Sequence, residues 1–359
     1  MDDAYSLYRG CLLGMAIGDA LGCTVDEKNL AAIREDYGPN GLLGYDLVNG
    51  YADVTSHTQL AAFLSNGLLL AVNRGRPASY LPYVKRALSE WCYTQHARRE
   101  PEQTLCWVSR IPALRRRRCM DTRMLDTVNR RDYGTPDDPL NSFATPGVLA
   151  EAVAVGLFFN EKRMDVPDVG LLAAQAAALT HGDRETVLAC AALAYIIAGL
   201  VQEEDCPLQA HVLQAAAAVR GQFSRYPEAE QVASALQKAV TMTKNKLLTP
   251  ETALERLECV TALQCLAGAV YTSLVHAGSF DAAMITAVNH SGRSAAVGAV
   301  TGAILGAKLG AQALPDFYLE PLECTDTLSQ LAVDLAVGNP AAGLFDDDWD
   351  HKYVQGYPV

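Results

Sequence analysis

The stretch from Ala295 to Leu309 constrains this chain more than any other, because it sets Gly298, Gly302 and Gly306 four residues apart, with Gly310 just beyond. Residues four apart lie one above another on a helix, so these glycines form a face with no side chains to hold a neighbour away. In lipid such spacing signals helix dimerisation. Lys308 and the shortness of the apolar run do not suit a bilayer, which needs about 20 apolar residues. The expected role is therefore close packing of a central helix inside a water-soluble fold.

The rest of the chain has the same helical period. Between Gly170 and Leu200 apolar residues fill most positions, with the clearest break at Thr180-His181-Gly182-Asp183. That pattern predicts two helices joined by a polar turn, with Asp183 capping the second. The run VLACAALAYIIAGLV from Val187 suits a buried helix better than a membrane span. Apolar residues at 254, 257, 260, 263, 266 and 270 predict one long helix from Leu254 to Ala277, with Gly278 as its C-cap. A shorter helix is expected from Phe280 to Val288, then a polar loop. Strand-like alternation is scarce, so the expected class is all-α.

Composition narrows the function. Of 359 residues, 41 are acidic and 29 basic, for a net charge of −12. This excess argues against nucleic acid or an anionic membrane as partner, since phosphate attraction needs clustered positive charge. Two acids and no basic region open the chain, so no secretory signal is expected. Ten cysteines include no CxxC pair, which argues against zinc clusters and redox dithiols and for reduced core thiols in the cytoplasm. The polar region from about Arg98 to Asn141 reads as a surface excursion, its Arg115–Arg118 run as a solvated face or an anion contact. One helical domain over 1–337 and a surface extension over 338–359 are expected; Asp346-Asp347-Asp348 lacks calcium-loop spacing.

Three separated segments carry a resemblance. They are RGCLLGMAIGDALGCTVD from Arg9, LTHGDRETVLACAAL from Leu179, and AVNHSGRSAAVGAVTGAILGAKLG from Ala287. Taken in that order over nearly the whole chain, they resemble the ADP-ribosylglycohydrolase family. The resemblance implies a compact multi-helix fold with a central cleft. It further implies two magnesium ions held by carboxylates and threonines of a TDDT-like and a GGDTDT-like motif, serving cleavage of a glycosidic bond to ADP-ribose.

This chain departs from that pattern where the metal ligands should stand. The first motif reads Asp53-Val54-Thr55-Ser56-His57-Thr58-Gln59, with Ser56 and His57 in place of the central aspartates. In the second, from Asn289 to Gly298, Arg293 and Ala295 replace aspartates and Ala296 replaces a threonine. Magnesium demands hard oxygen ligands, and a guanidinium has no lone pair to offer. The family magnesium site is therefore expected to be lost, with no metal and no other cofactor. Glu151 stands at the place of a family arginine, where it pairs with Arg293 or Arg184 or faces solvent.

Some site chemistry persists. Asp19 of GDALG is expected in the loop or first turn after an apolar helix, and Asp26 falls at a family glutamate's position. Thr180, His181 and Asp183 are intact, and His57 and His290 are candidates for a titrating pair. Arg293 is expected to offset acids left without metal, and Ser291, Gly292 and Ser294 before a helix to form an anion-binding corner. The resulting ligand-binding set is Asp19, Thr55, His57, Asp183, Asn289, Ser291, Gly292, Arg293 and Ser294, with Asp26 the candidate catalytic residue. The expected function is a non-hydrolytic pseudoenzyme binding ADP-ribose, another anionic small molecule or an ADP-ribosylated protein. The alternatives are a metal-independent hydrolase of an ADP-ribosyl bond and a purely structural protein.

Overall fold

The computed structural model describes residues 5–74, 80–96, 104–118, 122–159, 166–339 and 347–355. Among these no strand forms, and only the isolated bridges Val48–Tyr51 and Ala52–Leu322 have β character. The helices that build the centre and the site are α1 (Ser6–Cys23), α2 (Ser56–Arg74), α3 (Leu149–Phe158), α4 (Val166–Ala177), α5 (Arg184–Gln202), α6 (Leu208–Gln222), α7 (Ala262–Val275), α8 (Phe280–Val288), α9 (Ser294–Leu309) and α10 (Thr325–Val337). The all-α expectation is met.

The centre is an antiparallel pair, α1 against α9. A Cβ on Gly10, Gly14, Gly18 or Gly22 would fall onto the carbonyl oxygen of Gly306, Gly302, Gly298 or Ser294 respectively. The reverse holds for Gly298, Gly302 and Gly306 against Gly18, Gly14 and Gly10. Two glycine faces thus meet backbone to backbone, closer than any pair of side chains allows. Gly310, at φ +79°, ends α9. Helix α5 is long and apolar enough to cross a membrane, but 78% of its apolar window is buried against neighbouring helices. That is the expected core helix, and Asp183 caps it by accepting from the Thr186 amide and hydroxyl.

Four expectations need correction. Leu254 to Ala277 is two helices, Pro250–Leu257 and α7, because Thr261 and Gln264 form a capping box that restarts the chain. His276, not Gly278, ends α7. Asp19 lies within α1, since the glycine after it packs against α9 and does not stop the helix. The expected surface extension docks where it is described. Tyr353 is fully buried, accepting from Trp107 Nε1 (2.9 Å) and donating to Asp334 (2.6 Å).

Candidate functional site

The antiparallel crossing brings the C-terminal end of α1 beside the N-terminus of α9, and α2 starts against α1 at Asp19. A cavity of about 490 Å³ opens there, lined by Asp26, Thr55, His57, Arg118, Thr145 and Arg293 among others. Its volume lies within the usual range for small-molecule sites.

Asp19 is its buried anchor. The Oδ2 atom accepts from the amides of Thr55 and Thr58 (2.9 and 3.2 Å) and from the Thr58 hydroxyl (2.6 Å). Oδ1 accepts from the Thr55 hydroxyl (2.6 Å) and from His57 Nδ1 (3.1 Å). A helix N-terminus presents unpaired amides and a partial positive charge, so a carboxylate is favoured there. Asp19 supplies it to α2 from a different helix. Burial opposes its ionisation, but His57 and the two threonines prevail and hold its pKa below the ordinary carboxylate value. For His57, burial opposes the charge, yet the bond to Asp19 prevails and raises its pKa. Both shifts favour an imidazolium on a carboxylate. The outer edge of the ring, Cδ2 and Nε2, lies so close to Gly147 that a Cβ there would stand 2.9 Å from both atoms.

Asp26 closes the opposite side. Its Oδ1 accepts from the Ala295 amide at the start of α9 (3.0 Å), and its Oδ2 faces Arg293 Nη2 at 3.3 Å. Arg293 Nη1 reaches Glu27 at 2.8 Å. The amides around the expected anion-binding corner are therefore largely taken from within the protein. Asp26 takes the Ala295 amide, Glu255 takes that of Ser291 (2.6 Å), and the Cys259 carbonyl takes that of Arg293 (2.9 Å).

The remaining sequence candidates divide by position. Thr55, His57, Asp26 and Arg293 line the cavity, with Asp19 directly behind them. Asn289 instead clamps the backbone of Leu42 through both ends of its amide, and Ser291 accepts from the Leu30 amide. Asp183 is occupied with its cap. Gly292 sits where a Cβ would press on the carbonyls of Glu258 and Cys259, and the buried Ser294 hydroxyl has no partner among the described residues. His290 is wholly buried and does not line the cavity, so it forms no pair with His57; burial drives its pKa down and keeps it neutral.

The arginine run is exposed at Arg115, Arg116 and Arg117, as a solvated face would be, but two of its members also make ion pairs. Arg116 and Arg118 both bridge Asp53 and Glu323, at 2.8–3.1 Å, which fixes the strand of chain leading into α2. Arg118 also reaches the cavity wall. Phe143 and Thr145 line it too; their only sequence signal is proximity to Gly147. Glu151 meets neither Arg293 nor Arg184 nor solvent. It is buried in α3, its Oε1 accepting from Thr180 at 3.2 Å, while Arg184 pairs with Glu228.

Two magnesium ions would need several free carboxylate oxygens in near-octahedral array. Among the described residues the carboxylates lining the cavity are Asp26 and Glu27, both on Arg293, and each oxygen of Asp19 already has partners. The donors present do not fit that pair of ions.

Residues 1–343 match the family described as ADP-ribosylglycohydrolase. Among solved structures, one described as "ADP-ribosylglycohydrolase-related protein complex" is similar at a TM-score of 0.62 and 22% identity, covering 94% of this chain and 99% of that one. No curated protein matches.

Proposed function

The chain belongs to the ADP-ribosylglycohydrolase family, and from that premise we propose that its cavity binds an ADP-ribosyl group, free or protein-attached, without a magnesium pair and without hydrolysing it. The observation that carries this reading is Arg293, whose guanidinium stands against Asp26 and Glu27 as the counter-charge a cation would otherwise supply. A guanidinium offers only donors, so it repels a metal and attracts a phosphate. His57 and Arg118 add donors on the same wall. The cavity is open, which favours a ligand over a purely structural role. Buried thiols support a cytoplasmic setting.

Metal-independent hydrolysis is the second reading, kept by the position of Asp26 at the cavity. A general acid or base needs a free oxygen within reach of the reacting atom, and both oxygens of Asp26 already have partners. Calorimetric titration with ADP-ribose, with and without EDTA, tests the first reading: equal binding in both is expected, and no binding in either overturns it. A release assay on ADP-ribosylated arginine and serine separates the readings. Turnover in EDTA that Asp26→Asn abolishes would favour hydrolysis.

A further inference from the structure

We propose that Thr145 sets the hydrogen-bonding sense of the cavity wall, and that a chain of groups running inward through His181 and Thr180 to Glu151 decides whether its hydroxyl donates to a ligand or accepts from one. The part concerning a ligand rests on the binding role proposed above; the chain itself does not.

Thr145 lines the cavity, and its Oγ1 lies 2.8 Å from His181 Nε2. His181 Nδ1 lies 2.8 Å from Thr180 Oγ1, which lies 3.2 Å from Glu151 Oε1. Thr180, His181 and Glu151 are all buried. The His181 ring is stacked on Phe143 with centroids 4.7 Å apart and planes 24° from parallel, which fixes its orientation. With the ring held, its two nitrogens each face a threonine hydroxyl, and either of them can carry the proton.

Two arrangements satisfy the chain. With Glu151 protonated, its hydroxyl donates to Thr180, Thr180 donates to His181 Nδ1, and His181 Nε2–H donates to Thr145. The Thr145 hydrogen then points into the cavity as a donor. With Glu151 ionised, Thr180 donates to Glu151, His181 Nδ1–H donates to Thr180, and Thr145 donates to His181 Nε2. Thr145 now offers the cavity only lone pairs. One proton leaves Glu151 for solvent and one moves from Nε2 to Nδ1 of a neutral ring, so the balance closes without another reactant.

The environment places this change within an accessible pH range. Burial pushes the Glu151 carboxyl up to about 8, opposed only by the Thr180 hydrogen bond. Among the described residues the titratable groups facing Glu151 are His181, through Thr180, and the Cys190 thiol of α5, which burial keeps protonated. Among the described residues no charged group shifts it. A phosphate or carbonyl ligand needs donors, so the form with neutral Glu151 is the one that suits it. The Ala177 carbonyl, 3.1 Å from Thr180 Oγ1, is the competing acceptor that would uncouple the chain.

Nitrogen-15 NMR of the histidines in the full chain, from pH 6 to pH 10, tests this directly. His181 is expected to pass from the Nε2–H to the Nδ1–H tautomer as Glu151 ionises, and to stay Nε2–H in Glu151→Gln, whose amide donates to Thr180 at every pH. A His181 tautomer that does not change in the wild type overturns the proposal, whatever the ligand does. Thr145→Val, which removes only the cavity end, should leave the tautomer change intact. In the wild type the Kd for ADP-ribose is expected to rise about tenfold across the same range, the effect of one hydrogen bond to a charged group, and to stay flat in Glu151→Gln. A tautomer change with no such rise would overturn the role of Thr145. No ADP-ribose binding at any pH, with the tautomer change present, would sink the ligand reading and leave the chain standing.

Discussion

His57 Nδ1 donates to Asp19 Oδ1 across 3.1 Å, tying the first turn of α2 to the last turns of α1. The same carboxylate holds four other donors, so α2 begins where Asp19 stands. Asp19→Ala should destabilise the fold by about 3–5 kcal/mol, the usual result of removing one member of a buried charged pair. Urea denaturation measures it; a change below about 1 kcal/mol would mean that the threonine hydroxyls find other acceptors.

The pH dependence follows from the directions of the two shifts. The lowered pKa of Asp19 makes its contribution present above the unfolded value of about 3.9 and lost as pH falls through the folded one. The raised pKa of His57 makes its contribution full below about 6.5 and lost as pH rises through the folded value above that. The Tm difference between wild type and His57→Gln should therefore form a plateau from about pH 4 to 6.5 and close on the alkaline side. A gap that widens above pH 8 would contradict the assignment of charge to His57.

Gly18→Ala places a methyl group onto the Gly298 carbonyl, which is backbone and cannot rotate away. A loss of about 3 kcal/mol or more is expected, at or above the upper end for overpacking. Gly221 in α6 has open space around its Cβ position, and Gly221→Ala should stabilise by about 0.5 kcal/mol. Thermal melts of the two variants should move in opposite directions.

Arg118→Ala removes two ion pairs at once and leaves the half-exposed Arg116 as the one described cation between Asp53 and the largely buried Glu323. A loss of about 1–3 kcal/mol is expected. ADP-ribose affinity should fall as well, because Arg118 lines the cavity and is one of the two clamps on the chain ahead of α2. Calorimetry on the folded variant checks the second effect, and an unchanged affinity would remove Arg118 from the site.

Ending the chain at Gly338 should cost at least about 3 kcal/mol, the scale for emptying one buried aromatic position, since Tyr353 is wholly enclosed and joins Trp107 to Asp334. Native-like denaturation of the shortened chain would show the docked segment to be dispensable.

The helical class, the turn capped by Asp183 and the helix Phe280–Val288 are legible in the sequence because they depend on local period and capping. The four-residue glycine spacing in α9 is legible too, but its mate in α1 is not inferred, although Gly10, Gly14, Gly18 and Gly22 repeat the same spacing. Matching two helices needs their direction as well as their pattern. Thr261 and Gln264 carry a readable capping box that the continuous apolar period hides. The site is harder. Arg116 and Arg118 look solvated until Asp53 and Glu323 arrive from distant parts of the chain. Asn289 and Ser291 sit within a motif yet serve the Leu42 and Leu30 backbones, and nothing local announces that.

Gly18 and Gly298 touch across 280 positions of chain, and that distance has a meaning in time. A ribosome adding about 5–20 residues per second leaves α1 without its mate for tens of seconds after it emerges. During that interval the backbone groove along α1 has nothing to rest on, while the helices between can already pack. The cavity is thus completed only once α9 has been made, when its arrival seats the first helix and the cavity wall together.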